Sequence, residues 1–396
     1  MGGKGKTMQV DRGRKLLLTV SVCLVTFTLL GGILGRSLAL EGTYTFLKLF
    51  NEVLYLVRNN YVEPIKDETL MEGAYRGMLE NLDPMSEYLT AEAFRRASLD
   101  ERRGPADVGA VLSKRRGYAV IVAVTEGSPA QKAGLGTGDL ILTIDGRSTL
   151  LMGVWEATQA LQGKSETTVR LGVIKRMESR SEKFELVRRL PIRPPLRASM
   201  LEPGVGLLRL GGLESGEGER VRKALDSLRA QGAHRLLLDL RSNAGPSLDE
   251  AVKTASLFMG EGNVVTLADR KAGSSELKAG PSGPVWKGPM VVLVGQGTAG
   301  PAEVLAAALR DRAGATLVGD RTWGLGSIQK VIPLPAGDGI RLSVGKYLSP
   351  SGKEWNGAGL SPDVEQSAGS GDPAQDLQIQ KGLEVLKAGR EERKAA

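Results

Sequence analysis

The chain has 396 residues, of which 41% are apolar and 25% charged, a composition typical of a folded protein with two or three domains. Its formal net charge is +8, but the basic residues form no face with interleaved aromatic residues, so nucleic-acid binding is not expected. A single cysteine, Cys23, and a single histidine, His234, exclude an intramolecular disulfide and a Cys/His zinc site. No metal or other cofactor is therefore expected.

The N-terminus has the pattern of a membrane anchor. Residues 1–15 form a basic n-region with five Lys or Arg against one Asp, and residues 16–35 are uncharged and mostly apolar. Such a run is long enough to cross a bilayer, and its basic flank predicts a cytoplasmic N-terminus. Ser37–Ala39 also has the small-x-small form of a signal cleavage site. We interpret the segment as an uncleaved single-pass anchor of the inner membrane, and under either interpretation the rest of the chain is exported to the periplasm.

Residues 42–101 have helical periodicity. Phe46–Val57 and Leu70–Leu82 repeat apolar residues near every 3.6 positions, which predicts two helices. Their apolar faces are larger than two short helices can bury on each other, so a dimer is expected. The partner is either a second copy of this chain or a related chain.

Residues 104–190 alternate strands with short helices. The stretch Gly127–Gly146, GSPAQKAGLGTGDLILTIDG, resembles the PDZ family in order and spacing. PDZ domains bind an extended C-terminal peptide as an added strand and hold its carboxylate with backbone N–H groups. The resemblance places the carboxylate loop at Val108, Gly109, Ala110 and Val111. A PDZ fold that has lost peptide binding is the alternative.

A different pattern follows the Pro-rich stretch Leu190–Arg197, which predicts a stiff connector. Across residues 198–368 strands and helices alternate, which predicts an α/β layer domain, and residues 369–396 predict a charged helical tail. The predicted strands are Gly204–Leu210, Arg235–Leu240, Met290–Val294 and Thr316–Val318, and the predicted helices include Leu248–Met259 and Glu303–Arg310.

The whole order resembles the carboxyl-terminal processing peptidases, also called tail-specific proteases. Beside the PDZ stretch, the resemblance rests on the segments Gly77–Leu89, Leu236–Gly245, Gly319–Gln329 and Tyr347–Val364. These exported serine peptidases carry a PDZ domain beside an α/β catalytic domain and act on C-terminal tails. The resemblance implies a mixed α/β and β fold class: an N-terminal transmembrane helix, a helical segment, a PDZ domain and a peptidase-like core.

Two catalytic positions of that family are altered here. Active members use a Ser/Lys dyad, often assisted by a Gln. The resemblance places the serine three positions before Glu303, at Gly300, and the lysine between two glycines, at Leu325, while the Gln is retained as Gln329. Glycine has no side chain to attack a carbonyl, and leucine cannot accept a proton.

The loop that helps form the oxyanion hole in the family reads Asn-Pro-Gly-Gly, and here it ends in Gly245-Pro246. Proline has no backbone N–H, and loss of one oxyanion donor alone costs about 10²–10³ in rate. The three changes predict an inactive homologue that binds C-terminal tails of exported proteins or regulates proteolysis. The alternative is an active serine-type endopeptidase with relocated groups, for which Thr298, Ser327 and Lys330 are the candidates.

Overall fold

The computed structural model describes Thr26 and residues 44–99, 104–281, 283–368 and 376–395. The chain divides into two compact units, Met1–Tyr75 and Arg76–Ala396. The predicted anchor at residues 16–35 lies, apart from Thr26, outside the described residues. Among those that are described, no helix is both long enough and apolar enough to cross a membrane.

The N-terminal region is helical but contains a strand that the periodicity did not predict. Helix α1 spans residues 44–60 and helix α2 Asp67–Glu80. The Asp83 carboxylate then accepts the N–H groups of Met85 and Ser86 at 2.8 and 3.0 Å, which turns the chain. The helical region at residues 42–101 also contains a short strand, since β1 (Glu87–Leu89) precedes helix α3 (Ala91–Ser98).

The region of the PDZ resemblance forms an antiparallel sheet whose apolar face is covered by short helices. Its strands have the order β2-β3-β4-β6-β7, with β5 paired to β4, so that β2 lies at an edge of the sheet, where α5 packs beside it. In chain order the elements are β2 (Ala110–Arg115), β3 (Tyr118–Val124), α4 (Pro129–Lys132), β4 (Leu140–Ile144), β5 (Arg147–Ser148), a 3₁₀ turn (Thr149–Leu151), α5 (Val154–Leu161), β6 (Thr168–Ile174) and β7 (Ser181–Val187).

The remaining chain builds two further sheets. The elements are β8 (Leu196–Glu202), β9 (Val205–Leu210), α6 (Glu217–Ala230), β10 (Arg235–Asp239), α7 (Leu248–Ser256), β11 (Asn263–Asp269), β12 (Gly273–Lys278), β13 (Met290–Val294), α8 (Pro301–Ala313), β14 (Thr316–Gly319), β15 (Ser327–Pro333), β16 (Gly339–Leu348), β17 (Val364–Glu365) and α9 (Leu377–Ala395). Strand β8 begins at Leu196, within the predicted connector.

The larger of these two sheets is the core of an α/β layer domain. Its strand order is β17-β14-β13-β10-β9-β8, and every pair except β8–β9 is parallel. Successive residues of β10 face opposite layers: Leu236 and Leu238 join the cluster under α6, α7 and α8, whereas Leu237 packs against α9. Because helices cover both faces, β10 and β13 are buried throughout, as parallel strands usually are.

The smaller sheet is antiparallel and reaches back to the N-terminal region. Its order is β1-β16-β11-β12, with β15 also paired to β16. In this sheet β1 runs against β16, with Glu87 opposite Arg341. The short strand β1 therefore anchors the segment that follows α2 to the part of the chain that carries Gln329 on β15.

Candidate active site

Two loops meet at the buried carboxylate of Glu303, in the first turn of α8. Its Oε2 accepts the N–H of Gly300 at 2.9 Å and that of Leu325 at 2.8 Å. Its Oε1 accepts the N–H of Gly324 at 2.7 Å and the hydroxyl of Thr322. Because one carboxylate holds the backbone at both altered dyad positions, the structure brings these two positions together. We call this arrangement of five residues the Glu303 junction.

Gly300 lies on the turn between β13 and α8 with φ 59° and ψ −123°, a conformation that residues with a Cβ adopt only with strain. Hydrolases often mount a nucleophile on a strained strand-to-helix turn of this kind. A Cβ built on Gly300 meets no heavy atom within 4 Å. The turn thus leaves room for a side chain at a position where the sequence provides none.

The side-chain amide of Gln329 is fixed by hydrogen bonds from its nitrogen, but its oxygen is unpaired among the described residues. Its Nε2 donates to Ser327 Oγ at 2.9 Å and to Ser343 Oγ at 2.7 Å. Its Oε1 is buried and has no hydrogen-bond partner among the described residues. Buried polar atoms are nearly always paired, so this acceptor is an exception that requires a cause. Leu325 lines the same cleft as Gln329, and its side chain offers no donor.

Four backbone positions around the turn offer no free N–H group, because the group is either bonded already or absent. The N–H of Gly245 donates to Asn243 Oδ1 at 3.1 Å, and the N–H of Ala299 donates to the Asn243 carbonyl at 3.0 Å. Pro246 and Pro301 have no N–H to offer. Pro301 directly follows the nucleophile position, where the backbone N–H is a usual oxyanion donor on such turns. Pro301 was missed in the sequence, although the run Gly-Pro-Ala-Glu shows a proline directly after the position assigned to the nucleophile.

The candidate replacement groups are placed differently from one another. Thr298 is fully buried; its hydroxyl donates to the Leu240 carbonyl at 2.7 Å and accepts the N–H of Gly295 at 3.1 Å, so it acts as a turn residue. Ser327 is half-buried and accepts from Gln329. Lys330 is exposed and follows Gln329 in the strand, so their side chains lie on opposite faces.

A cleft of about 1700 Å³ connects the PDZ-like region with the Glu303 junction. Its lining includes three of the four predicted carboxylate-loop residues and all of the altered or retained catalytic positions, namely Gly109, Ala110, Val111, Gly245, Pro246, Gly300, Leu325 and Gln329. Val108 does not line the cleft: it is buried, and its carbonyl accepts the N–H of Ala130 at 2.9 Å. A peptide bound along β2 therefore has a continuous path to Gly300.

Comparison with known families matches three consecutive parts of the chain. The N-terminal domain of the activating protease CtpB matches residues 38–93, a PDZ domain matches residues 120–175, and peptidase family S41 matches residues 204–366. The fold and the cleft thus define a PDZ-containing peptidase fold of family S41.

Individual relatives make the assignment more specific. The carboxy-terminal processing protease CtpA of Bacillus subtilis is 32% identical over 337 residues, which cover 84% of this chain and 71% of the relative. The carboxyl-terminal-processing protease of Synechocystis sp. is 34% identical over 349 residues, covering 85% and 81%. The solved photosystem II D1 C-terminal processing protease superposes with a TM-score of 0.67 at 30% identity, covering 78% and 84%. The chain belongs to the carboxyl-terminal processing protease family, which confirms the resemblance seen in the sequence.

The electrostatics of the Glu303 junction give a testable pH dependence. Burial raises the pKa of Glu303 to about 7, against the lowering effect of its four hydrogen bonds. A carboxyl group whose pKa is higher in the folded than in the unfolded protein stabilises the folded state. This stabilisation is fully present below the pKa of the unfolded state and is lost as the pH rises through the pKa of the folded state. We expect this group to lower the free energy of unfolding by roughly 1.4 kcal/mol per pH unit between about pH 5 and 7.

Urea unfolding at pH 5, 6 and 7 measures this dependence by comparison with Glu303→Gln, which has no proton to lose. The variant should show a less negative slope of stability against pH than the unmodified chain. Glu219→Gln, an exposed carboxyl on α6, is the matched control and should keep the original slope. Identical slopes for all three proteins would contradict the expectation.

Proposed function

We propose that this protein is a carboxyl-terminal processing peptidase homologue without peptidase activity, which binds C-terminal tails of exported proteins or regulates the proteolysis carried out by an active relative. The observation that carries the proposal is the Glu303 junction. It assembles both dyad positions of the family, and they hold Gly300 and Leu325. The prolines at positions 246 and 301 support the proposal, because the N–H groups that would bind an oxyanion are missing there.

Retention of the binding elements favours a binding protein over a decayed enzyme. The positive-φ turn at Gly300 is intact, the cleft is open, and β2 is an edge strand with α5 beside it. An edge strand presents unpaired backbone groups and can accept a peptide as an additional strand. The protein therefore keeps a place for a tail while lacking the groups that would cut it.

An active endopeptidase is the second candidate, since the relatives named above are proteases. The observation that favours it is Ser327, whose hydroxyl lines the cleft two residues after Leu325. A serine nucleophile also needs a base within hydrogen-bond reach. Among the described residues that line the cleft the one lysine is Lys132, which lies on α4 in the PDZ region.

We expect the purified protein neither to cleave unstructured peptides with apolar C-termini nor to react with a fluorophosphonate probe. Time-resolved mass spectrometry of the peptides and of the probe-treated protein measures both. Specific cleavage that Ser327→Ala or Thr298→Ala abolishes, while the exposed cleft variant Ser215→Ala retains it, would establish the active alternative instead.

Rebuilding the dyad alone is expected to restore little activity. Gly300→Ser with Leu325→Lys returns nucleophile and base, and the open space at Gly300 accommodates the serine. Both prolines still remove oxyanion donors, each worth about 10²–10³ in rate. Adding Pro246→Gly and Pro301→Ala should raise kcat/KM at least about 10²-fold over the double variant, and equal rates for the two variants would show that the prolines are not the obstacle.

The PDZ region is expected to bind peptides that end in an apolar residue with a free carboxylate. Amidation of the peptide should weaken binding at least about tenfold, because charge-assisted hydrogen bonds to the carboxylate are lost. Val111→Glu places a like charge at the carboxylate loop and should also weaken binding, whereas Met177→Glu, at an exposed apolar residue outside the cleft, is the control. Calorimetry measures all four affinities, and equal values for acid and amide would contradict the assignment.

We further propose that residues 16–35 anchor the protein in the inner membrane with its bulk in the periplasm. The proposal is supported by the apolar run and its basic flank. A transmembrane segment resists extraction by salt far better than a charged surface contact does. Retention in the membrane fraction after a high-salt wash tests it, and a mature N-terminus at Leu40 would indicate cleavage instead.

A dimer through α1 is proposed as well, with a second copy or with an active relative. The support is the exposure of large apolar side chains along this helix: Phe46, Leu49 and Tyr55 are 74%, 57% and 67% exposed within the chain. Apolar surface of this extent commonly marks an interface. Deletion of residues 41–58 should yield a monomer by light scattering, and a monomer with these residues present would oppose self-association.

A further inference from the structure

Glu87 connects the smaller core sheet to the PDZ region. It lies on β1, is only 4% exposed, and directs its side chain at the first turn of α5. Its two carboxylate oxygens lie 3.0 and 3.1 Å from the backbone nitrogen of Trp155, which donates to them. A charged carboxylate at a helix N-terminus is favourable, because the first N–H groups of a helix have no partner within it.

Helix α5 has no cap of its own. Its N-cap residue is Gly153, which makes no side-chain hydrogen bond to the first turn. A Cβ built on Gly153 would overlap the Glu87 carboxylate, so glycine is the residue that leaves space for it. Glu87 therefore supplies, from a distant part of the chain, the acceptor that Ser, Thr, Asp or Asn usually provides locally.

Helix α5 forms one wall of the cleft in which a tail would lie. Five of its residues or immediate neighbours line that cleft: Val154, Trp155, Thr158, Gln159 and Gln162. The opposite wall begins at the edge strand β2. The distance between α5 and β2 sets the width available to an added peptide strand, and the first turn of α5 is the part that Glu87 holds.

We propose that Glu87 is a positioning residue for tail binding: its carboxylate caps α5 in place of the side chain that Gly153 lacks, and thereby holds the groove wall where a bound tail needs it. This inference rests on the proposed function. The inference gives a role in tail binding to a residue outside the PDZ region. The charge on that residue controls the position of the groove wall.

The surroundings of Glu87 make its charge state responsive to pH. Arg341 on β16 faces it, with Nη1 3.8 Å from Oε1, and Glu156 on α5 is the nearby like charge. Glu156 itself pairs with Arg76 at 3.2 Å and with Arg147 at 2.7 Å. Burial raises the pKa of Glu87 to about 7, although Arg341 and the N–H groups of α5 lower it. A protonated carboxyl brings an O–H to a helix end that already has unpaired donors, so the cap weakens as pH falls below 7.

The test measures the Kd of the full-length protein for a peptide with a free apolar C-terminus at pH 8 and pH 6. The unmodified protein should bind about tenfold more weakly at pH 6. The peptide carboxylate stays ionised over this range, and the single histidine, His234, lies outside the PDZ region. Glu87→Gln should bind about tenfold more weakly than the unmodified protein at pH 8 and show no further loss at pH 6, whereas Glu182→Gln, an exposed carboxyl on β7, should follow the unmodified protein.

A second variant separates capping from a general effect on folding. A Cβ at position 153 would lie only 2.8 Å from the Cβ of Glu87, so Glu87→Gly, which removes that atom as well, clears the space, and adding Gly153→Ser to it supplies a local cap. The double variant should recover affinity relative to Glu87→Gly at both pH values. No recovery, or an unchanged Kd and pH profile in Glu87→Gln, would overturn the inference. Failure of the unmodified protein to bind any free-acid tail at pH 8 would count against the proposed function itself.

Discussion

The site depends on one buried carboxylate with four donors. Glu303 satisfies the N–H of Gly300 at the start of α8 and, from the same position, closes the loop that contains Leu325. Thr322 extends the arrangement, because its hydroxyl donates to Glu303 and accepts the N–H of Leu360 at 2.7 Å. Without the Glu303 side chain, three N–H groups would lose their acceptor in a dry interior. Its role is therefore structural, because it holds the two loops of the site against each other.

Two adjacent residues at the start of β1 contact the two parts of the cleft, α5 in the PDZ region and the network around Gln329. Glu87 reaches α5, while Ser86 accepts the N–H of Ser343 at 3.2 Å. The Ser343 hydroxyl in turn accepts from Gln329 at 2.7 Å. Glu87 and its neighbour Ser86, which directly precedes β1, thus carry hydrogen bonds to both ends of the cleft. These two neighbouring side chains link the first turn of α5 to Ser343 and, through it, to Gln329.

The elements that could be predicted from the sequence are those whose pattern lies within a few consecutive residues. The bounds of β13 are those predicted, because Met290–Val294 is a continuous apolar run between Pro289 and Gly295. The dyad positions followed from motif spacing, although the roles assigned to them stay predictions. Strand β1 was missed because it is short and packs through long-range pairing, and β12 was missed because its Gly-Ser-Ser-Glu sequence resembles a loop. The shared acceptor for Gly300 and Leu325, and the capping of α5 by Glu87, arise from contacts far apart in sequence, which periodicity cannot show.

The residues at positions 300, 301 and 325 each suit the local structure in which they lie. Glycine at position 300 removes the strain of a positive φ, which costs a residue with a Cβ about 1–3 kcal/mol. Proline at position 301 suits the first helical position, where an N–H has no partner within the helix. Leucine at position 325 avoids burial of an amine, which is costly in either protonation state. Each of these three residues is one that the local structure favours, and stability gained at a site in this way commonly comes at a cost in activity. Gln329 Oε1 is the exception, because it is buried without a hydrogen-bond partner among the described residues.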